Sequence, residues 1–254
     1  MKHTEAHIFA IYFPSTSDDL QHINLDATYT VRDKLLHHRV ANVLRMKTGN
    51  DIILFDKNRH ITCKLESISK KDLTIRILKK EENVPLLPQI TFFLPLLKRD
   101  AYEETLYSLT ELGANKIQPI ITEKIHRMWH TEKERERNMR IIYAAAEQAK
   151  NFCFPELAHP IHFNDIFENI NFTESALIFF DPDGKELSAC MTDIQNTHVN
   201  LLYLMIGPEG DLSTYEKEVL KKHSAHFCKL TPTVLRAQQA AAIALGAIRS
   251  LITR

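Results

Sequence analysis

The peptide from Leu201 to Leu220 holds the residues best arranged to do chemistry. An apolar run, Leu-Leu-Tyr-Leu-Met-Ile, leads straight into Gly207-Pro208-Glu209-Gly210, and Ser213 and Glu216 follow at the spacing of a helix-capping box. This pattern predicts a buried strand, a tight turn and a helix. The turn then lies at the carboxyl end of the strand, where open α/β sheets bind ligands. Gly207 and Gly210 lack a Cβ and let a ligand approach the backbone, while Pro208 stiffens the turn. A plain strand-to-helix connection would use the same residues, so turn chemistry alone leaves both readings open.

A second stretch runs from Lys229 to Arg254. A short loop containing Pro232 leads through Leu235-Arg236 into an alanine-rich helix that is apolar on nearly all sides. Such a helix must be covered over most of its circumference, as core or as half core and half subunit interface.

The elements that position these stretches alternate. Gln89 to Leu97 reads as a buried strand, Arg99 to Leu112 as a helix with Tyr102, Leu106, Leu109 and Leu112 on one face, and Gly113 as its stop. A strand at Lys116 to Ile121, a helix from about Glu132 to Lys150, strands at Ala176 to Phe180 and Asn200 to Ile206, and two further helices complete the series. Alternation of this kind implies a mostly parallel sheet covered by helices, an α/β fold. Before it, residues 5–78 carry short β-branched runs, with Gly49-Asn50 and Lys57-Asn58 as turn signals, which reads as a small β-barrel. Residues 79–88, KKEENVPLLP, end in two prolines and read as a linker.

Composition sets the boundaries of function. The 254 residues are 44% hydrophobic and 25% charged, an ordinary globular balance. No apolar run reaches the ~18 to 20 residues needed to span a bilayer, and no signal-peptide core is present, so a cytoplasmic location is expected. Cys63, Cys153, Cys190 and Cys228 lack any C-x-x-C pairing, which points to reduced thiols and to no zinc site. The net charge of zero conceals an asymmetry: residues 1–80 carry +5 and the remainder −5. A basic nucleic-acid-reading module fused to an acidic catalytic body would have this distribution, as would two solvated charged faces. No G-x-G-x-x-G follows any strand, which disfavours a nucleotide-dependent oxidoreductase.

An ordered set of residues carries a family likeness over nearly the whole chain. It comprises His37-His38 with Val43 to Lys47 and Gly49; Thr110 to Ala114 with Ile117, Pro119 and Glu123; Ala146-Glu147-Gln148 with Pro155-Glu156; Ile206 to Gly210; and Leu235-Arg236. In this order the chain resembles the SPOUT superfamily of RNA methyltransferases. More specifically, it is similar to the bacterial ribosomal RNA small subunit methyltransferase E family, which methylates N3 of a uridine in 16S ribosomal RNA. The resemblance implies a PUA-like RNA-binding β-barrel over residues 1–78 and a SPOUT domain with a trefoil knot over residues 89–254. It implies S-adenosyl-L-methionine as methyl donor, held by Phe180, Asp181, Ile206, Gly207, Pro208, Glu209, Gly210, Leu230, Thr231, Leu235 and Arg236, with Asp181 to Gly184 as a further wall. A homodimer joined through the final helix, and no metal, follow from the same likeness.

By the same resemblance Arg236 stabilises charge on the target base. Glu209 orients that arginine, accepts the proton, or stabilises the helix that follows it. RNA contacts fall to His37, His38, Arg39, Arg45 and Lys47 in the barrel and to Lys124, His126 and Arg127 beside the catalytic loops. Three positions depart from the family pattern. Asp211 stands where a second glycine is usual, Ala237-Gln238-Gln239 stand in place of Thr-Glu-Thr, and an arginine is missing from Lys150-Asn151-Phe152. These departures leave open a ribosome-binding or assembly protein that keeps the fold with little turnover.

Overall fold

The computed structural model describes residues 8–14, 24–125, 131–168, 170, 174–195 and 201–252. The chain divides into two compact units, one formed by residues 1–84 and 146–153, the other by residues 85–145 and 154–254.

The first unit contains β1 (Phe9–Tyr12), β2 (Thr28–Val31), α1 (Lys34–His38), β3 (Asp51–Phe55), β4 (Arg59–Ile68) and β5 (Leu73–Glu82). They form one sheet in the order β1-β3-β4-β5-β2. β1 runs parallel to β3, and the other pairs are antiparallel. Alternation along β4 and β5 sends Ile61, Cys63, Leu65, Leu73, Ile75 and Ile77 into a core with Ile11, Leu36, Val40, Ile52 and Leu54. The turn expected at Lys57-Asn58 is present, and Asp56 closes it by accepting from the backbone of Asn58 and Arg59. Gly49 adopts the φ of +91° that its turn requires. β2 was not foreseen, because TYTV is half exposed and carries little apolar signal. β5 continues through Glu82, so its ladder takes in residues 79–82 of the stretch read as linker.

The second unit contains β6 (Gln89–Pro95), α2 (Arg99–Glu111), β7 (Lys116–Ile121), α3 (Thr131–Ala149, whose last residues belong to the first unit), β8 (Glu156–Leu157), β9 (Ile161–His162), β10 (Ser175–Glu186), α4 (Leu187–Gln195), β11 (Leu201–Ile206), α5 (Thr214–Lys222), β12 (His226–Lys229) and α6 (Ala237–Ile252). The sheet order is β12-β10-β11-β6-β7-β8, with β9 also on β7, and every pairing is parallel. Parallel strands covered on both faces must be apolar throughout, and β6 and the first part of β10 are buried residue after residue.

The expected helix stop at Gly113 is seen, with φ +83°. α6 packs on α2 and β11, burying Ala241, Ala244, Leu245 and Ile248, while Ile243 and Leu251 remain exposed. Buried Arg249 ties α6 to the sheet, donating to the carbonyls of Pro88 (2.8 Å) and Gly113 (2.7 Å) and to Asn115 Oδ1 (2.7 Å). Burial lowers its pKa to about 10.

The cysteine expectation is corrected in one respect. Cys190 on α4 and Cys228 on β12 form a disulfide, whereas Cys63 and Cys153 are free. A separation of 38 residues in sequence gives no sign of this, since the pairing follows from β12 lying beside β10. Burial pushes the Cys63 thiol up to about 12, which keeps it protonated and inert. Among the described residues no helix is long and apolar enough to cross a membrane, and no three metal-ligating side chains gather.

Candidate functional site

A cleft of about 850 Å³ opens at the carboxyl ends of the neighbouring strands β12, β10 and β11. Parallel strands place all three ends on one edge, so loops distant in sequence become neighbours. Phe180, Asp181 and Pro182 come from β10, Ile206 ends β11 with Gly207 to Glu209 and Asp211 after it, and Leu230, Thr231 and Thr233 to Arg236 follow β12. The fourth wall is the start of α2, with Lys98, Arg99, Asp100 and Glu104, and the first turn of α6 contributes Gln238.

The turn after β11 is held at several points. Gly207 lies on the cleft, and a Cβ there would meet Asp211 Oδ1 at 2.9 Å. Asp211 takes φ +57°, the left-handed conformation natural to glycine. Its Oδ1 accepts from Leu212 N at 2.7 Å, the kind of local hydrogen bond that lets aspartate tolerate this backbone. The capping box is formed as the sequence predicts: Ser213 Oγ accepts from Glu216 N, and Glu216 Oε2 accepts from Ser213 N at 2.8 Å. Glu216 is buried, and its Oε1 accepts from Glu123 N at 2.8 Å, fastening the loop after β7 to the same helix start.

Three expected residues make contacts with other loops of the domain. Glu209 Oε1 accepts from Lys98 N at 3.1 Å, so its carboxylate anchors the start of α2, not that of α5; among the described residues it has no hydrogen bond to Arg236. Gly210 does not line the cleft, a Cβ there would come no closer than 4.0 Å to Lys124, and its carbonyl accepts from Lys124 Nζ at 3.0 Å. Lys124 also donates to Leu212 O at 3.1 Å, so this lysine braces the turn.

The second half of β10 approaches the main chain of β12 closely. A Cβ on Gly184 would meet the Cys228 backbone at 2.6 Å, so only glycine fits. The ladder between β10 and β12 shifts register between Phe180 and Lys185, and that bulge turns Asp181 and Pro182 towards the cleft. Asp181 and Asp211 both pair with Lys217 Nζ, at 2.7 and 2.6 Å. Burial pulls the Lys217 pKa down, but its hydrogen bonds to Asp181 and Asp211 outweigh this and leave it above the ordinary lysine value. Neither Lys98 nor Lys217 was singled out in the sequence, where a solvated surface lysine looks the same.

After β12, Thr231 Oγ1 donates to Thr233 O at 2.6 Å, and the Arg236 carbonyl accepts from Ala240 N at 2.9 Å as α6 begins. Arg236 is exposed on the cleft wall, Ala237 is buried, and Gln238 faces the cleft.

The cationic residues expected to read RNA in the first unit are exposed or half-buried along α1 and the turns after it. His37 Nε2 donates to Ser69 O at 2.8 Å, and His38 Nδ1 accepts from Asn42 at 3.0 Å. Arg45 and Lys47 are exposed, Arg45 with φ +51°. Arg39 is held by Glu147 through two hydrogen bonds of 2.6 and 2.5 Å. Its pKa is raised chiefly by that bond, so its charge serves an internal pair. His126 and Arg127 lie outside the described residues. In the segment 150–152, Phe152 stacks on His60, ring centroids 4.3 Å apart, and meets Phe55 at 5.1 Å.

A ligand cleft across three parallel strand ends, walled by main-chain turns and flanked by an exposed arginine, is the arrangement by which open α/β enzymes hold their ligands. The chain belongs to the RNA methyltransferase domain family, whose pattern matches residues 84–249, and residues 33–78 match the PUA domain of RNA methyltransferases. Among curated relatives, ribosomal RNA small subunit methyltransferase E of Bacillus subtilis is 27% identical over 238 residues, covering 90% of this chain and 92% of the relative. The enzyme of that name from Mycobacterium bovis is 27% identical over 222 residues, covering 84% and 83%. A Legionella pneumophila protein solved with bound S-adenosylmethionine superposes with a TM-score of 0.78 at 25% identity, covering 97% of this chain and 98% of its own. Ribosomal RNA small subunit methyltransferase E of Neisseria gonorrhoeae, at 24% identity and TM-score 0.81 over 96% and 98%, shares the fold.

Proposed function

We propose that the protein transfers a methyl group from S-adenosylmethionine to N3 of a uridine in small-subunit ribosomal RNA. The observation that carries this reading is the juxtaposition of the turn 207–211 with the loop 230–236 on one cleft, with Arg236 exposed on its wall. Apolar walls from Phe180, Ile206, Leu230 and Leu235 suit an adenosine, and the neighbouring turns offer main-chain polar groups to its edges. The residues present therefore fit the donor, which supplies an electrophilic methyl on a sulfonium centre.

The reaction is a displacement. The N3 electron pair forms the new bond to the methyl carbon, the carbon–sulfur bond breaks with its electron pair going to sulfur, and the N3 proton passes to an acceptor. Protein groups hold the partners in line and steady the negative charge that spreads to the base carbonyl oxygens. Arg236 supplies positive charge for those oxygens. Glu209 keeps the start of α2 against the turn, and this positional role is the one its contact with Lys98 supports.

The same reading takes residues 1–78 as the PUA-like RNA-binding module, 79–88 as the linker and 89–254 as the catalytic domain, with the chain around the cleft forming a trefoil knot. His37, His38, Arg45 and Lys47 then contact RNA from the first module, joined by His126 and Arg127. A second copy packs on α6, where Ile243 and Leu251 are exposed, and the enzyme works in the cytoplasm, where ribosomes are assembled. Incubating the purified protein with methyl-labelled donor and unmodified small ribosomal subunits, then mapping the label, tests the reading. Label at N3 of one uridine supports it; donor binding without label on any RNA overturns it in favour of a binding protein that has lost turnover.

A further inference from the structure

We infer that Lys217 is a positioning residue of the donor cleft, whose ion pairs with Asp181 and Asp211 fix the distance between the bulge of β10 and the turn after β11. The inference rests on the reading of this cleft as a donor site.

Each partner is already oriented by its own backbone neighbours. Asp181 is buried, 5% exposed, and its Oδ1 accepts from Asp183 N at 2.8 Å, leaving Oδ2 for Lys217 at 2.7 Å. Asp211 directs Oδ1 to Leu212 N at 2.7 Å and Oδ2 to Lys217 at 2.6 Å. Lys217 is restrained in turn, lying on α5 behind the capping box with its ammonium 5.9 Å from the centre of the Phe179 ring. Among the described ion pairs no other cation reaches either carboxylate.

Both carboxylates belong to residues that line the cleft. Without the ammonium, a buried carboxylate would lose its counter-charge and face a second negative group across the same gap. The walls would part or shift, and the seat for the donor would change with them. A glycine at position 211 could take the same φ of +57° without help but could not reach Lys217.

The test measures donor affinity by calorimetry and steady-state constants for donor and RNA separately, on the full chain. In Lys217→Met, with folding checked by thermal melting, the donor Kd should rise about tenfold or more while the KM for RNA stays within about twofold. Lys217→Arg should return the donor Kd to within about threefold of the parent, and Asp211→Gly placed in the Lys217→Met background should recover part of the loss by removing one stranded charge. If Lys217→Met does not fold, Asp211→Asn weakens one arm with the turn retained and should raise the donor Kd about threefold. Folded Lys217→Met with unchanged donor affinity would overturn the inference, as would a loss shared equally by donor and RNA. A parent protein that binds no donor would instead sink the reading of the cleft itself.

Discussion

Glu209 and Lys98, 111 residues apart in the chain, are joined by a hydrogen bond of 3.1 Å from the lysine backbone to the glutamate carboxylate. The contact fastens the turn after β11 to the start of α2 and closes one corner of the cleft. Because an amide oxygen accepts as a carboxylate does, Glu209→Gln should keep donor affinity and turnover within about threefold, whereas Glu209→Ala should weaken donor binding roughly fivefold. Calorimetry and single-turnover rates check this. A hundredfold fall in turnover for Glu209→Gln with intact donor binding would move the residue into proton transfer.

Arg236 is exposed on the cleft wall, and its main chain, not its side chain, begins α6. Arg236→Ala should therefore reduce methylation by about a hundredfold or more, the usual size of a lost charge-stabilising group, with donor Kd within about threefold. Equal loss of donor binding would make its role structural.

The two glycines of the turn should behave differently. At Gly207 a Cβ would meet Asp211 Oδ1 at 2.9 Å, an atom that cannot retreat without releasing Leu212 N, so Gly207→Ala should weaken donor binding by at least about tenfold. At Gly210 the space is open to 4.0 Å, so Gly210→Ala should change the donor Kd by less than about twofold. Donor titrations of the two variants side by side decide the point.

Glu147 pairs with Arg39 and also accepts from Tyr12 N at 2.8 Å, while the two side chains are 12% and 38% exposed. Removing the carboxylate leaves a half-buried cation and an amide without their acceptor. Glu147→Ala should cost about 2 kcal/mol of stability, below the cost for a fully buried pair because water reaches the arginine. Denaturant midpoints measure it, and Arg39→Ala should destabilise as well instead of merely weakening RNA binding.

Acid should loosen the pairing of α2 with α3. Glu103 accepts from Arg137 at 2.6 and 2.8 Å and from Arg99 at 3.1 Å, and the bond from Arg137 leads in holding its pKa below the usual 4.5. A depressed carboxylate stabilises the fold above its unfolded pKa, and that contribution is lost as pH falls through the lower folded value. Stability should thus decline below about pH 4.5, and Glu103→Gln should flatten that decline in melts taken across the acid range.

The sequence by itself determined the strand ending at Ile206, the capping box at Ser213 and Glu216, the helix stop at Gly113 and the α/β class, because each follows from periodicity or turn chemistry within a few residues. It missed β2 and β12, four residues each, where the apolar pattern is too short to rise above its polar neighbours. Only the tertiary structure decided that Lys217 joins Asp181 to Asp211, that Glu209 meets Lys98, that Lys124 braces Gly210, and that Gly184 lies against Cys228. These partners meet because the strands assemble in the order β12-β10-β11-β6, which brings separate loops to one edge of the sheet. Local patterns record which face of a strand is buried, but not which strand lies beside it.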